Sequence, residues 1–148
     1  MSRTEGGAIA AGRRPPAPEG LNSQWYQAAA GGILHVQSCA DCGHRQHPPR
    51  YFCGACASAE LVFQPVSSDN GTLYTWSVIH RSAEPGWSEL VPYAIGVIQL
   101  AGGVRLVGYV DGIRLEDLRP GMPVTVRPLP QQDGAVVLII RTAEASAR

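Results

Sequence analysis

The chain has 148 residues, enough for one domain or two small ones, and its 45% hydrophobic content is that of an ordinary globular protein. Twelve arginines and no lysine balance twelve acidic residues, so the formal net charge is zero, which argues against a dedicated nucleic-acid binder that needs a surplus of cations. No segment approaches the roughly 18 apolar residues of a membrane span. The opening MSRTEGGAIAAGRRPPAPEG follows Arg13-Arg14 with prolines rather than an apolar stretch, so no signal is read and a cytoplasmic location is expected.

Residues 1–20 are Gly, Ala, Pro and Arg without periodicity and read as a disordered tail. LNSQWYQAAAGG follows. Asn22 or Ser23 is expected to cap a short helix, Trp25 and Tyr26 to pack it onto what comes next, and Gly31-Gly32 to stop it. ILHVQS enters the cysteine region as a strand and LVFQPV leaves it as another. From Gly71 onward, short strands alternate with turn signals: GTLYTWSVIHR, then YAIGVIQL and VRLVGYV as a hairpin about Ala101-Gly102-Gly103. LEDL makes one helical turn, RPGMP a turn, VTVRP a strand, QQDG a turn, and AVVLIIR the last strand. Five strands with a small helical insertion between the third and fourth match an OB-type barrel, although any small β-barrel fits the pattern. The fold class is therefore mainly β. The expected organisation is a tail over 1–20, a helix and cysteine-rich ribbon over 21–64, and a barrel over 65–148.

All four cysteines stand in CADCGHRQHPPRYFCGAC, as two CxxC pairs: Cys39 with Cys42, and Cys53 with Cys56. Four thiolates at this spacing suit a tetrahedral zinc with sulfur about 2.3 Å from the metal. Gly43 and Gly54 are expected to supply the backbone freedom of the two turns. The spacer residues His44, Arg45, His47 and Arg50 can offset the negative charge of the cage or donate hydrogen bonds behind the ligands. Another metal, an iron–sulfur cluster or redox chemistry are the competing uses. The β-rich, Gly-rich context and the second pair weigh against a thioredoxin-like site. With four protein ligands, the zinc has no open position for water and is expected to be structural, one ion per chain.

These pieces together resemble a known family. Trp25 in a short helix, the two CxxC pairs around Pro48, Pro49 and Arg50, then Val91, Pro92 and Tyr93 and the GMPV of Gly121 to Val124 are similar to zinc-ribbon/OB-fold proteins that accompany thiolase-like enzymes. The resemblance spans roughly residues 21–142. It implies a rubredoxin-like ribbon followed by a five-stranded OB barrel. It also implies a non-catalytic accessory subunit of an acyltransferase, ketothiolase or steroid side-chain aldolase that supports the enzyme's stability or acyl-CoA binding, with acyl-CoA at the shared interface. On that reading Arg50, Trp87 and Tyr93 are candidate partner or acyl-CoA contacts.

Two other functions stand beside it. Ribbons and OB folds also bind nucleic acid, and Tyr74, Trp76 and Tyr93 can stack on bases. Period-two alternation places Tyr74, Trp76 and Val78 on one face, however, where core packing explains them. The barrel can alternatively hold an acyl-CoA without a partner. His35 and His80 lie in expected strands. Trp87, in the loop RSAEPGWSELVP with nothing nearby to build a core, is either a binding residue or folded back on the barrel end. No P-loop, dinucleotide fingerprint or GxSxG is present, and the cysteines are committed to the ribbon.

Overall fold

The computed structural model describes residues 19–130 and 136–143; the expected tail up to residue 18 and the QQDG turn lie outside them. Helix α1 runs Leu21–Ala30. A three-stranded antiparallel sheet follows, formed by β1 (His35–Cys39), β2 (Arg45–Gln46) and β3 (Leu61–Pro65) in the order β2-β1-β3. Five further strands, β4 (Gly71–Ile79), β5 (Tyr93–Gln99), β6 (Arg105–Val110), β7 (Pro123–Pro130) and β8 (Val136–Thr142), close into a barrel ordered β4-β5-β6-β8-β7. A 3-10 turn at Leu115–Asp117 stands between β6 and β7, where the helical insertion is expected.

The barrel is closed by one parallel and one antiparallel seam. β6 and β8 run parallel through Tyr109↔Ile139 and Val110↔Ile140, and β4 meets β7 through Gly71↔Val124 and Thr72↔Pro123. The backbone N–H of Gly121 donates to Leu73 O at 2.7 Å, and Leu73 N–H donates to Met122 O at 3.0 Å, so the GMPV stretch is the closing latch of the barrel. At the other seam, Arg141 reaches Asp111 Oδ2 through Nε at 2.9 Å and Nη2 at 2.7 Å. Gly108 permits this seam: a Cβ there would stand 2.8 Å from the Leu138 carbonyl oxygen.

Alternation decides what is inside. Ala94, Gly96 and Ile98 on β5 and Leu106, Gly108 and Val110 on β6 are buried, while Tyr93, Ile95, Val97, Val107 and Tyr109 point the other way. The core is filled by Leu73, Ile98, Leu106, Val124, Val126 and Ile140. It continues without a break into Trp25, Ala29, Leu34 and Val36, so helix, ribbon and barrel share one apolar interior. Trp25 is 5% exposed and donates from Nε1 to His35 O at 2.8 Å, which fixes α1 against β1.

Two expectations fail locally and one element is added. No side chain caps α1: Gly20 occupies the N-cap, and Ser23 Oγ turns back to donate to Gly20 O at 2.7 Å. The strand β2 was not expected, because two residues carry no periodicity. A bulge between Leu73 and Thr75 breaks the alternation of β4. Trp76 and Val78 therefore pair opposite the inward Gly96 and Ala94, while Tyr74 is 50% exposed, off the face expected for it.

Candidate metal centre and the surfaces around it

Each CxxC turn is built by the same two backbone hydrogen bonds. In the first, Gly43 N–H donates to Cys39 O and Cys39 N–H to His44 O, both at 2.9 Å. In the second, Ala57 N–H donates to Cys53 O at 2.9 Å and Cys53 N–H to Ser58 O at 2.8 Å. The geometry needs a left-handed residue directly after the second cysteine. Gly43 takes it with φ 75°, and Ala57 takes it with φ 62°. Gly54 was expected to provide this freedom in the second turn and does not. Ala57 occupies that backbone region instead, at a cost of about 1 kcal/mol that the closed site holds in place. Ser58 Oγ donates to Asp41 Oδ2 and joins the two turns.

The turns bring all four sulfurs to within 4.8 Å of one another. Cys39 and Cys56 are 3.6 Å apart, as are Cys42 and Cys53. A zinc with sulfurs about 2.3 Å away requires edges of about 3.8 Å between them, so the donor set fits a structural four-thiolate metal site. The thiols do not ionise alike. The Cys56 N–H pulls the Cys53 thiol down to about 6 against the opposing effect of burial, and the Cys42 N–H likewise lowers Cys39. The Ser58 N–H pulls Cys56 down as well, but the adjoining Cys42 and Cys39 sulfurs and burial outweigh it and push Cys56 up to about 12. Four adjacent sulfurs cannot all ionise without a cation between them, and that is the requirement a bound metal meets.

Behind the cage, two glutamines hold the returning chain. Gln37 and Gln46 are 4% and 8% exposed. Gln37 accepts from Arg50 N–H at 2.9 Å and donates to Arg50 O at 2.8 Å. Gln46 donates to Gln37 Oε1 at 2.7 Å and to Phe52 O at 3.2 Å, and accepts from Gly54 N–H at 2.9 Å. Sequence reasoning missed both, because a glutamine in a short strand reads as surface. The one available signal is that Gln37 falls between Val36 and the first cysteine.

His47 is not a ligand. Its ring packs on Trp25 with centroids 5.0 Å apart, and burial pushes its pKa down to about 4. The sign follows directly. The unfolded chain takes up a proton near 6.5 and the folded chain does not, so stability present at neutral pH is lost as pH falls from about 6.5 toward 4. At pH 5 the loss is about 2 kcal/mol. Urea unfolding of wild type and His47→Asn at pH 7 and pH 5 checks this: the variant should lose about 2 kcal/mol less between the two pH values, and equal losses would exclude the effect.

The other candidates separate into two places. Trp87 folds back on the barrel, 5.3 Å from Tyr93 and 5.7 Å from Tyr109 between ring centroids, so it does have packing partners. Tyr109, which the strand alternation could have found, completes the cluster at 5.7 Å from Tyr93. Arg50 is not with them. It lines a cavity between ribbon and barrel together with Arg45 and Arg105. Arg105 and Tyr109 are four residues apart on β6, about 13 Å along the strand. His35 Nδ1 lies 2.8 Å from Ile33 O, and His80 is exposed beyond the end of β4.

Comparison with known proteins agrees with this architecture. Residues 27–62 match the family model described as the ChsH2 rubredoxin-like zinc ribbon domain, and residues 64–127 match the ChsH2 C-terminal OB-fold domain. A probable enoyl-CoA hydratase alpha subunit of Thermomonospora curvata is 32% identical over 77% of this chain and 35% of its own length. A DUF35 domain-containing scaffold protein of Methanocaldococcus jannaschii is 33% identical over 58% of this chain and 60% of its own. The chain thus spans about a third of the first relative and three fifths of the second. Among solved structures, the one titled Ltp2-ChsH2(DUF35) aldolase matches with TM-score 0.76 and 29% identity, over 88% of this chain and 99% of that one. A DUF35 protein of unknown function from Sulfolobus solfataricus, 16% identical with TM-score 0.57 over 82% of this chain and 84% of its own, shares the fold. A four-cysteine ribbon joined through one core to a closed five-stranded barrel, matched by both domain models of one family, makes this chain a member of the family of ChsH2-type zinc-ribbon and OB-fold proteins.

Proposed function

We propose that this chain is a non-catalytic accessory subunit that binds a thiolase-like acyl-CoA enzyme and supports its stability or its acyl-CoA binding, with zinc as a structural ion, one per chain. The observation that carries the reading is the likeness to the DUF35 chain of an aldolase over nearly the whole of that chain. The hydratase alpha-subunit relative points to the same class of CoA ester chemistry. The residues are consistent with it. Thiolase chemistry uses a cysteine nucleophile, and all four cysteines here belong to the ribbon. The nucleophile then comes from the partner.

Within this reading, Trp87, Tyr93 and Tyr109 form the contact surface: three half-buried rings on the outside of β5 and β6, the residue types that dominate interface energetics. The test is retrieval of the tagged full chain from its own cells in moderate salt, with mass spectrometry of what stays bound. A thiolase-fold enzyme in near-stoichiometric amount is expected, with Trp87→Ala lowering its recovery about tenfold. Recovery of nucleic acid, or of no partner, would overturn the reading.

A further inference from the structure

The geometry points to the cavity between ribbon and barrel as a binding site for the phosphate group of a small ligand. It measures about 330 Å³, at the small end of ligand pockets, and it opens to solvent. Arg45 and Arg50 line it from the ribbon and Arg105 from the start of β6, with His44 beside them, and no carboxylate lines the space. Gly54 and Gly103 form part of the wall, so backbone is open to a ligand there.

Of the other described arginines, three are paired with carboxylates, while Arg81 and Arg119 are not and lie away from this cavity. Arg114 holds Asp117, Arg127 holds Asp69 and Arg141 holds Asp111. Among the described residues, Arg45, Arg50 and Arg105 hold no carboxylate. Arg105 uses only Nε, to Gln99 Oε1 at 3.1 Å, and its guanidinium carbon stands over the Tyr74 ring, 3.7 Å from the centroid. That leaves its two terminal nitrogens free to donate. Arg50 is anchored through its backbone by Gln37, so its guanidinium is presented without being consumed. His47 lines the same cavity, and its Nδ1 is buried without a hydrogen-bond partner among the described residues.

Three arginines line one cavity with no carboxylate among its walls, so its positive charge has no counterpart within the lining. A tetrahedral phosphate with several acceptor oxygens matches their forked donors. The charge of the thiolate cage does not account for the set, because Arg105 belongs to the barrel and is fixed there by Gln99 and Tyr74.

The test titrates the zinc-loaded full chain with inorganic phosphate and, separately, with coenzyme A, following backbone amide shifts. Saturable shifts confined to His44–Arg50 and Gly103–Arg105 are expected, weakened about tenfold or more in Arg45→Gln and in Arg105→Gln and unchanged in Arg114→Gln. Binding of both ligands identifies free phosphate as sufficient. Binding of coenzyme A alone identifies a phosphate carried on a nucleotide. Absence of saturation by either ligand overturns the site, as does binding that survives both substitutions. Zinc content and the shifts of β7 and β8 report whether each variant is folded. No partner enzyme takes part, so a negative result leaves the accessory reading untouched.

Discussion

Replacing Cys39 or Cys53 by serine is expected to release the metal and melt the ribbon while the barrel stays folded. Both cysteines are buried, and their N–H and C=O groups form the hydrogen bonds that shape the two turns. Binding of a structural zinc by four thiolates contributes about 10–16 kcal/mol in small domains, more than most domains have in total stability. The ribbon has little to set against its loss. Its two-residue and five-residue strands bury Val36 and two glutamines, and Val62 on β3 lies exposed. The barrel keeps its own interior of Leu73, Ile98, Leu106, Val124, Val126 and Ile140. Metal analysis should give close to one zinc in the wild type and none in the variant. Amide exchange should become fast across residues 35–65 and remain slow in β5, β7 and β8. A Cys39→Ser protein with unchanged exchange in the ribbon would show that the metal is not its staple. Acidification should act in the same direction, because protons compete with the metal for each thiolate and affinity falls as pH falls.

Gln37→Leu is expected to destabilise the ribbon by about 3 kcal/mol, with the cysteines intact. The leucine fills similar space but leaves Arg50 N–H and C=O without their partner and removes one of the two acceptors of Gln46 Nε2. Each stranded group costs about 1–3 kcal/mol, less where water reaches it. The amides of Arg50 and Gly54 should exchange about a hundredfold faster. Zinc should leave faster in a chelator competition, because the loop that positions Cys53 is held by these bonds. Exchange at Arg50 and Gly54 identical to wild type would mean that the glutamines are bystanders.

The metal ligands were legible because their signal is local and chemically specific. Two residues between cysteines make a turn whatever surrounds it, and four thiolates suit few purposes. Most of the barrel strands were legible for a similar reason, since period two marks a strand packed on one face. The misreadings arise where a contact from elsewhere in the chain overrides a local pattern. Tyr74 left its expected face because a bulge sits beside it. Trp87 found Tyr109 at 5.7 Å only because β5 and β6 stand side by side, with the loop folded over them. Ala57 took the role expected of Gly54, because the hydrogen bond to Cys53 O fixes its backbone.

By itself, then, the sequence determined a four-thiolate ribbon, a short helix and a five-stranded barrel, since turn chemistry and side-chain alternation act over a few residues. Tertiary structure alone decided that two glutamines become core residues and that Arg45 and Arg50 from the ribbon line one cavity with Arg105 from the barrel. All of them are polar, so no apolar periodicity marks them. The glutamines are buried by bonds that close only when the ribbon folds, and the shared cavity depends on the packing of ribbon against barrel through one apolar core, a contact no pattern within either segment encodes.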